Sequence, residues 1–195
     1  MKEIIKEEIA ASANLKFQLL SDDLLQSQLE NLVNACIIAL QQGGKIIFCG
    51  NGGSFADAQH LSAELISRLR FDRPALASIA LGTNNSNLSA IGNDYGFEDI
   101  FSREVAALGN AVDVFIPIST SGNSPNVIKA IEIAKEKGLT IVGFTGMQGG
   151  KMAALCDCIR VPNTQTDKIQ EVHIMLGHIL CHLIEINIYN NYGIN

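Results

Sequence analysis

The 195-residue sequence has no excess of basic residues and no long apolar run, and each absence removes a class of protein. Its formal net charge of −6 argues against a general nucleic-acid binder, which needs a basic face. The net charge does not exclude a local basic patch. The N-terminal MKEIIKEEIAAS lacks the apolar core of a signal peptide, and no apolar run is as long as a membrane span. We therefore expect a cytoplasmic protein that binds neither nucleic acid nor membrane.

The cysteines also lack a regular arrangement. There are five, an odd number with scattered spacing, and most lie in apolar runs. Cys156 and Cys158 form C-x-C, not the C-x-x-C of a zinc or redox motif. Reduced cysteines packed in the core are the better interpretation.

From Lys45 onward, short apolar runs rich in β-branched residues alternate with helical patterns. The strand-like runs cover residues 45–49, 75–81, 113–119, 140–145 and 158–161. The helical patterns cover residues 54–70, 86–91, 98–108, 125–137 and 166–190. This alternation predicts one α/β domain with an open parallel sheet, whose ligands bind beyond the carboxyl ends of the strands.

Two further helices precede this region. The first covers residues 2–20, and the second follows Ser21 as N-cap, with Asp22 and Asp23 in its first turn and Gly43 as its stop. The second helix carries an apolar stripe, formed by Leu25, Leu29, Leu32, Cys36 and Leu40. Residues 1–43 are therefore predicted to form a helical arm that packs in an oligomer.

The turn GNGGS (50–54) links the first strand to a helix. It only superficially matches the dinucleotide pattern G-x-G-x-x-G, because Phe55 stands where the third glycine belongs. The helix start still offers free N–H groups and a positive dipole end to an anion. A tight structural turn and an anion cradle are equally good interpretations of this segment alone.

The segment after the third strand is more specific. Residues 119–124 read STSGNS, Ser124 suits a helix N-cap, and Pro125 suits the first helical position. A capped turn explains Ser124 and Pro125, but not four hydroxyls within six residues. Hydroxyls and backbone N–H groups can hold a phosphate without a lysine, so we favour a phosphate site here.

Two helices carry residues suited to metal or acid–base chemistry. His60 and Glu64 are four residues apart and project from one helical face, although the pair alone is better explained as two exposed polar residues. The last helix adds Gln170 and His178, and imidazole with carboxylate suits zinc. Gln170 and His178 are about 12 Å apart along a helix axis. Either that helix starts after Gln170, or these residues serve sites in different subunits.

Several separated motifs, in order, resemble the sugar isomerase (SIS) domain family, and within it the bacterial phosphoheptose isomerases. The resemblance covers nearly the whole chain and rests on CGNGGS (49–54), AQHLSAEL (58–65), GND (92–94), STSGNS (119–124), DKIQEVH (167–173) and His178. It implies a three-layer α/β/α sandwich with a five-stranded parallel sheet in flavodoxin-like order. It also implies a single SIS domain over residues 1–195, assembled as a homotetramer with active sites between subunits.

The same resemblance implies the site residues. Glu64 and His178 would be the catalytic acid–base pair, and one Zn²⁺ per site would be held by His60, Glu64, Gln170 and His178. The residues that would contact the sugar phosphate are Asn51, Gly52, Gly53, Ser54, Glu64, Asn93, Asp94, Ser119, Thr120, Ser121, Ser124, Asp167 and Gln170. His173 and His182 are left as structural residues.

The implied reaction is an aldose–ketose isomerisation through an enediol. It converts sedoheptulose 7-phosphate to D-glycero-D-manno-heptose 7-phosphate, a precursor of activated heptose for surface polysaccharide such as lipopolysaccharide. Glu64 would move the carbon-bound proton and His178 the oxygen-bound one, while a zinc ion could polarise the carbonyl. A carboxylate that both ligates metal and acts as base would have a lowered pKa, which is a tension in this hypothesis.

Two alternatives belong to other functional classes. A non-catalytic SIS protein that binds the bacterial replication initiator shares the glycine-rich loop and a segment similar to KIQE (168–171). An SIS-type sensor or isomerase for another sugar phosphate would share the loops but not the substrate. Because the binding protein has no need of Glu64 and His178, their presence favours the enzyme.

Overall fold

The computed structural model describes residues 1–189, which form seven α-helices and five strands. The helices are α1 Lys2–Leu19, α2 Asp23–Gln41, α3 Gly53–Ile66, α4 Asn85–Asp94, α5 Ile100–Leu108, α6 Pro125–Glu136 and α7 Thr166–Ile188. The strands are β1 Ile46–Gly50, β2 Ser78–Ala80, β3 Val114–Ser119, β4 Thr140–Gly146 and β5 Asp157–Val161. Short 3₁₀ turns cover Phe97–Asp99 and Met152–Ala154. The predicted end of the last helix, residue 190, lies outside the described residues.

The five strands form one parallel sheet in the order β2-β1-β3-β4-β5. This is the flavodoxin-like order, so the predicted fold class is confirmed. The order reverses between β1 and β3, which run side by side with Gly50 level with Ile118. The segments that follow these two strands, predicted as phosphate loops, therefore emerge next to each other at the switch point, where open α/β sheets bind ligands.

Strand β1 shows how both faces of the sheet are buried. Ile46 and Phe48 belong to an apolar cluster with α1, α2, α3 and α7, whereas Ile47 and Cys49 belong to another with α5 and α6. All four side chains have no exposed surface. Successive residues of a strand point to opposite faces, so a continuous apolar run serves two helical layers. Each Ile or Phe that is fully buried contributes about 1.5–3 kcal/mol.

The two helix starts singled out in the sequence differ in their capping. Helix α2 is capped by Asp22, whose carboxylate accepts a hydrogen bond from Leu25 N at 2.9 Å, so Ser21 as N-cap was wrong. Ser124 is the N-cap of α6 and Pro125 its first residue, as predicted. The Ser124 hydroxyl, however, lies 3.1 Å from the Ser119 hydroxyl and does not cap the backbone.

The last helix crosses the layer that contains α1, α2 and α3. Among residues 1–189, α7 alone is long and apolar enough by composition to cross a membrane, and half of that stretch is buried inside the protein. Core helices pass the same test. Here α7 packs on α2 and α3, with Val172, Leu180 and Ile184 fully buried between them. Its burial brings residues of α7 to the edge of the sheet where the loops lie.

Candidate active site

The turn after β1 is closely packed against α7. Gly52 adopts a φ of 56°, which favours glycine, and caps the start of α3. A side-chain carbon placed on Gly53 would lie 2.7 Å from the Gln170 amide nitrogen. Glycine at position 53 therefore lets the Gln170 amide lie directly over the N-terminal turn of α3. Ser54, the next residue, is buried in this turn.

The loop after β3 is tied to the β1 loop by a pair of amides. Asn51 Nδ2 donates to Asn126 Oδ1 at 2.8 Å, and Asn126 Nδ2 donates to Asn51 Oδ1 at 2.9 Å. Asn126 is buried in the first turn of α6 and also accepts from Val127 N. This reciprocal pair fixes the two loops relative to each other. It also occupies half of the hydrogen-bonding capacity of the Asn51 amide.

The hydroxyls of the STSGNS segment divide into two groups. Ser119 and Ser124 contact each other, as described above, whereas Thr120 and Ser121 line a cavity of about 160 Å³. The same cavity is lined by Asn163 and Thr164, which follow β5. It lies beyond the carboxyl ends of β3, β4 and β5, and its polar lining suits an anion or sugar hydroxyls.

Three side chains from α3 and α7 converge in one group. His60 Nε2 lies 3.0 Å from Glu64 Oε1 and 3.1 Å from His178 Nε2. The three donor atoms all lie within 4.8 Å of one another, and the two imidazole rings meet edge to face. Glu64 and His178 are half-buried, whereas His60 is exposed. The sequence pair His60–Glu64 is thus completed by His178 of the same chain.

The chemistry of this group suits a divalent cation. His60 Nε2 carries at most one hydrogen, yet it faces both a carboxylate oxygen and a second ring nitrogen. One hydrogen serves both contacts poorly, whereas a cation between the three atoms accepts a lone pair from each. Imidazole and carboxylate are zinc ligands, and three protein ligands is the number found in catalytic zinc sites. The residues present therefore fit the expected zinc ion.

Gln170 lies away from this group. Helix α7 begins at Thr166, so Gln170 and His178 share one helix and are separated by about 12 Å of axial rise. The alternative that the helix starts after Gln170 is therefore excluded. In this chain the Gln170 amide contacts the glycine turn at Gly53. It is thus placed to line the anion cradle of its own subunit.

Three other residues from the sequence analysis lie at the periphery. Asn93 and Asp94 end α4, are exposed, and hydrogen-bond to each other at 2.7 Å. Asp167 is exposed in the first turn of α7, and the neighbouring Lys168 ammonium lowers the pKa of its carboxyl. The single chain does not bring Asn93 or Asp94 into the His60 group.

Burial shifts the pKa of two titratable groups near the site. Asp57 precedes His60 by one turn, and its Oδ2 is one of four buried side-chain atoms in the described chain without a hydrogen-bond partner. Burial raises the pKa of this carboxyl, and the charge of His60 opposes the shift. His173 lies beside Phe144 and is buried. Its burial lowers the pKa of the imidazole to about 4, so His173 is neutral at pH 7.

A buried ion pair, which the sequence motifs did not predict, lies behind the site. Arg73 Nε donates to Glu185 Oε1 at 3.0 Å, and both side chains have no exposed surface. Arg73 also donates to the backbone carbonyls of Glu64 and Leu65 at the end of α3. Neither residue lies in a motif, but a charged residue at position 185 within an apolar helix was a sequence signal for a buried ion pair. Asn126 was also missed, and its place directly after a helix-initiating proline was a signal for a side chain that hydrogen-bonds at the helix start.

The comparisons with known proteins agree with this arrangement. The SIS domain model matches residues 11–146. Phosphoheptose isomerase from Aneurinibacillus thermoaerophilus is 53% identical over 192 residues, covering 98% of this chain and 97% of that protein. The structure of phosphoheptose isomerase from Neisseria gonorrhoeae has a TM-score of 0.86 at 42% identity, covering 94% and 98% of the two chains. That from Francisella tularensis has a TM-score of 0.89 at 34% identity, covering 93% and 96%.

Proposed function

The chain belongs to the SIS domain family, and from this premise we propose that it interconverts sedoheptulose 7-phosphate and D-glycero-D-manno-heptose 7-phosphate. It is an aldose–ketose isomerase of heptose biosynthesis, because relatives named phosphoheptose isomerase match it over nearly their whole length. The observation that carries the catalytic part is the convergence of His60, Glu64 and His178 on α3 and α7, the two helices that also bring Gly53 and Gln170 together at the switch point.

The loops after β1 and β3 would hold the sugar phosphate. The N-terminus of α3 at Gly53 presents free N–H groups toward the carboxyl edge of the sheet. The N-terminus of α6 offers fewer donors, because Pro125 has no N–H and Val127 N donates to Asn126 Oδ1. The hydroxyls of Thr120 and Ser121 add donors in the cavity between β3 and β5. The remaining proposed contacts of the loops are Asn51, Gly52, Ser54, Ser119 and Ser124. We further propose that Asn93, Asp94, Asp167 and Gln170 bind sugar hydroxyls.

Glu64 and His178 would carry the protons. A ketose-to-aldose shift moves one proton between C1 and C2 and another between the two oxygens. Glu64 takes the carbon-bound proton from one carbon and returns it to the other, and His178 exchanges the proton with the oxygens. Their side-chain atoms lie within 4.8 Å of each other, close enough to face adjacent carbon and oxygen atoms of one substrate.

We propose that His60, Glu64 and His178 hold one Zn²⁺ per site, with Gln170 of a second subunit as a fourth ligand. When bound, the ion would supply a positive charge that stabilises the developing enediolate oxygen. Because Glu64 is both a ligand and the proposed base, its second carboxylate oxygen remains for proton transfer. Gln170 of the same chain is separated from His178 by about 12 Å along α7, which supports a partner subunit as the source of that ligand.

The alternatives predict different behaviour. A protein that only binds the replication initiator has no use for two imidazoles and a carboxylate gathered in one group. A sensor would bind sugar phosphate but would exchange no carbon-bound proton. The relatives' names favour the isomerase over both.

The decisive experiment follows conversion of sedoheptulose 7-phosphate to the aldose by purified, zinc-loaded protein in D₂O. The wild type should form aldose and incorporate deuterium at the carbon next to the carbonyl. Glu64→Gln should lose both signals, with kcat lower by about 10²–10⁴-fold. His178→Gln should lose aldose formation to a similar extent.

Matched controls lie on the same helices. His182→Gln changes a histidine one turn beyond His178, and Gln59→Ala changes the exposed neighbour of His60. Both should keep wild-type rates. Full activity of Glu64→Gln and His178→Gln would remove the catalytic assignment. Tight initiator binding by a wild type that turns over no substrate would favour the non-catalytic alternative.

Zinc is tested separately by metal analysis. Wild-type protein dialysed against zinc should retain about one equivalent per subunit, and His60→Ala should retain far less. Equal zinc contents would place any bound metal elsewhere.

We also propose that the protein is a cytoplasmic homotetramer, with residues 1–43 as the packing arm of a single domain. The arm leaves large apolar side chains exposed in the isolated chain, among them Ile5, Ile9, Phe17 and Leu24. An apolar groove of about 740 Å³ lies between α1, α2 and α7. Exposed patches of this kind mark subunit interfaces. Ile5→Glu/Ile9→Glu should reduce the molecular mass measured by light scattering. An unchanged mass would exclude residues 1–43 as a subunit interface.

A further inference from the structure

Glu104 is a buried carboxylate without a basic partner. It lies in α5 next to Val105 and one turn after Phe101, both in the apolar core, and only 7% of its surface is exposed. None of the ion pairs within residues 1–189 includes it. Burying a carboxylate is costly unless hydrogen bonds compensate for the lost water, so the groups that bind this one account for its position.

Both oxygens of Glu104 bind the segment that joins β2 to α4. Oε2 accepts a hydrogen bond from Gly82 N at 2.5 Å, and Oε1 accepts one from Asn87 Nδ2 at 3.4 Å. Gly82 lies just after β2 with a φ of 79°, and Asn87 lies in the first turn of α4. A hydrogen bond from a backbone N–H to a carboxylate is stronger than one between neutral groups. Glu104 therefore bridges the end of the strand and the start of the helix.

Helix α4 has few other contacts that fix its orientation. None of its ten residues is buried, although Leu88 and Ile91 are partly buried against the cluster of α5 and α6. The hydrogen bonds to the side chain of its N-cap, Asn84, stay at the helix start. Within the described part of the chain, the bond from Asn87 to Glu104 is the only hydrogen bond between a side chain of α4 and another element. Because helices are held in place mostly by packing of an apolar face, the Glu104 bridge matters more here than at a buried helix.

We propose that Glu104 is a positioning residue for substrate binding and acts through α4. The inference rests on the proposed function, in which Asn93 and Asp94 at the end of α4 bind sugar hydroxyls. Fixing the start of α4 sets the direction in which the helix presents these two side chains. The turn that Glu104 holds also lies against the anion cradle, because a side-chain carbon on Gly82 would lie 3.0 Å from Phe55 in the first turn of α3.

The competing explanation is that Glu104 only stabilises the fold. A carboxylate bonded to a buried N–H would do this whatever α4 carries. The two roles differ in their kinetics. Loss of folded protein lowers the apparent kcat and leaves KM unchanged, whereas displacement of groups that bind the substrate raises KM.

The kinetic test compares Glu104→Leu with Glu104→Gln in purified, zinc-loaded protein acting on sedoheptulose 7-phosphate. Leucine accepts no hydrogen bond, so KM should rise by about tenfold while kcat stays within about twofold of the wild type. Glutamine keeps one oxygen for Gly82 N, and its amide can donate to Asn87 Oδ1 once the Asn87 amide turns over, so KM should return to the wild-type value. A lower kcat with unchanged KM in Glu104→Leu, or no rescue by Glu104→Gln, would overturn the proposal.

Hydrogen exchange, followed by mass spectrometry on peptides from residues 83–96, tests the hold on α4 without any turnover. Glu104→Leu should speed exchange in α4 by about tenfold. Asn87→Ala, which changes an exposed side chain and serves if Glu104→Leu does not fold, should speed exchange and raise KM in the same direction. Asn85→Ala is the matched control, because this exposed asparagine of the same turn makes no side-chain hydrogen bond within residues 1–189.

The two measurements separate failure of this inference from failure of the proposed function. A wild type that converts no sedoheptulose 7-phosphate would remove the proposed function and the substrate role of Glu104 with it, whereas exchange would still decide whether Glu104 holds α4. An active wild type with unchanged exchange in Glu104→Leu and Asn87→Ala would overturn the Glu104 bridge and leave the proposed function intact.

Discussion

Replacing Arg73 by methionine would leave the Glu185 carboxylate buried without its charged partner. Methionine keeps most of the apolar volume of the arginine stem, so the charge is the main change. Arg73 Nε lies 3.0 Å from Glu185 Oε1, and neither side chain is exposed. Breaking a buried pair by removing one partner costs about 3–5 kcal/mol, because an uncompensated charge remains. For a domain of this size that lowers Tm by about 6–20 °C.

The same substitution should weaken catalysis. Arg73 Nη2 donates to the carbonyl of Glu64 at 2.8 Å, and Nη1 donates to that of Leu65 at 2.7 Å. These bonds hold the last turn of α3, which carries the proposed base. Without them the Glu64 side chain should be less well positioned, and we expect kcat to fall more than KM rises.

Urea denaturation at one fixed protein concentration measures the stability change. Arg73→Met/Glu185→Gln removes both charges but keeps an oxygen that can accept from Leu69 N. The double variant should therefore be more stable than Arg73→Met alone. Lys129→Met is the matched control, because it breaks a solvent-accessible pair with Asp99 and should change the free energy of unfolding far less than Arg73→Met. A loss below about 1 kcal/mol for Arg73→Met, or additive losses in the double variant, would refute the reasoning.

Three further predictions concern the loops and α7. Gly53→Ala would place a methyl group 2.7 Å from the Gln170 amide, so KM should rise while Tm changes little. Gly122→Ala combines a φ of 65° with a contact of 2.0 Å to the Gly149 carbonyl, so both Tm and substrate affinity should fall. His173 has a pKa of about 4 when folded and about 6.5 when unfolded, so the unfolded state binds its proton first. The free energy of unfolding, measured by urea denaturation, should keep the full contribution of neutral His173 above pH 6.5 and fall by about 3 kcal/mol toward pH 4. His173→Gln should reduce this fall.

The fold was predictable because its strands are apolar on both faces. Strand β1 shows the reason: five consecutive buried residues can be accommodated only where helices cover each side of a parallel sheet. The second strand, predicted over residues 75–81, is reduced to Ser78–Ala80. It lies at the edge of the sheet and pairs only with β1, so fewer interstrand contacts hold the flanking residues in a strand conformation. Helix α3 ends at Ile66 instead of residue 70, because the following turn folds around Arg73.

The loops of the site were predictable, but the position of α7 was not. Glycines and hydroxyls in GNGGS and STSGNS are local signals, and strand order placed them together. How α7 lies across α3 depends on side-chain packing that no spacing reveals. A side-chain carbon on Gly177 would lie 2.5 Å from the Leu61 methyl groups, so the two helices approach closely beside His178. The sequence alone therefore left open whether His178 reaches His60 within one chain.

Two unrelated contacts of α7 fix the geometry of the proposed acid–base pair. Close packing at Gly177 sets how near α7 comes to α3, and the Glu185 carboxylate binds Arg73, which in turn holds the end of α3. Glu64 follows Leu61, which packs against Gly177, by three residues and its carbonyl accepts from Arg73, while His178 directly follows Gly177. A change at either contact should therefore alter the distance between base and acid while leaving both of their side chains unchanged. If catalysis depends on that distance, Arg73→Met must lower kcat even at temperatures where the protein remains fully folded.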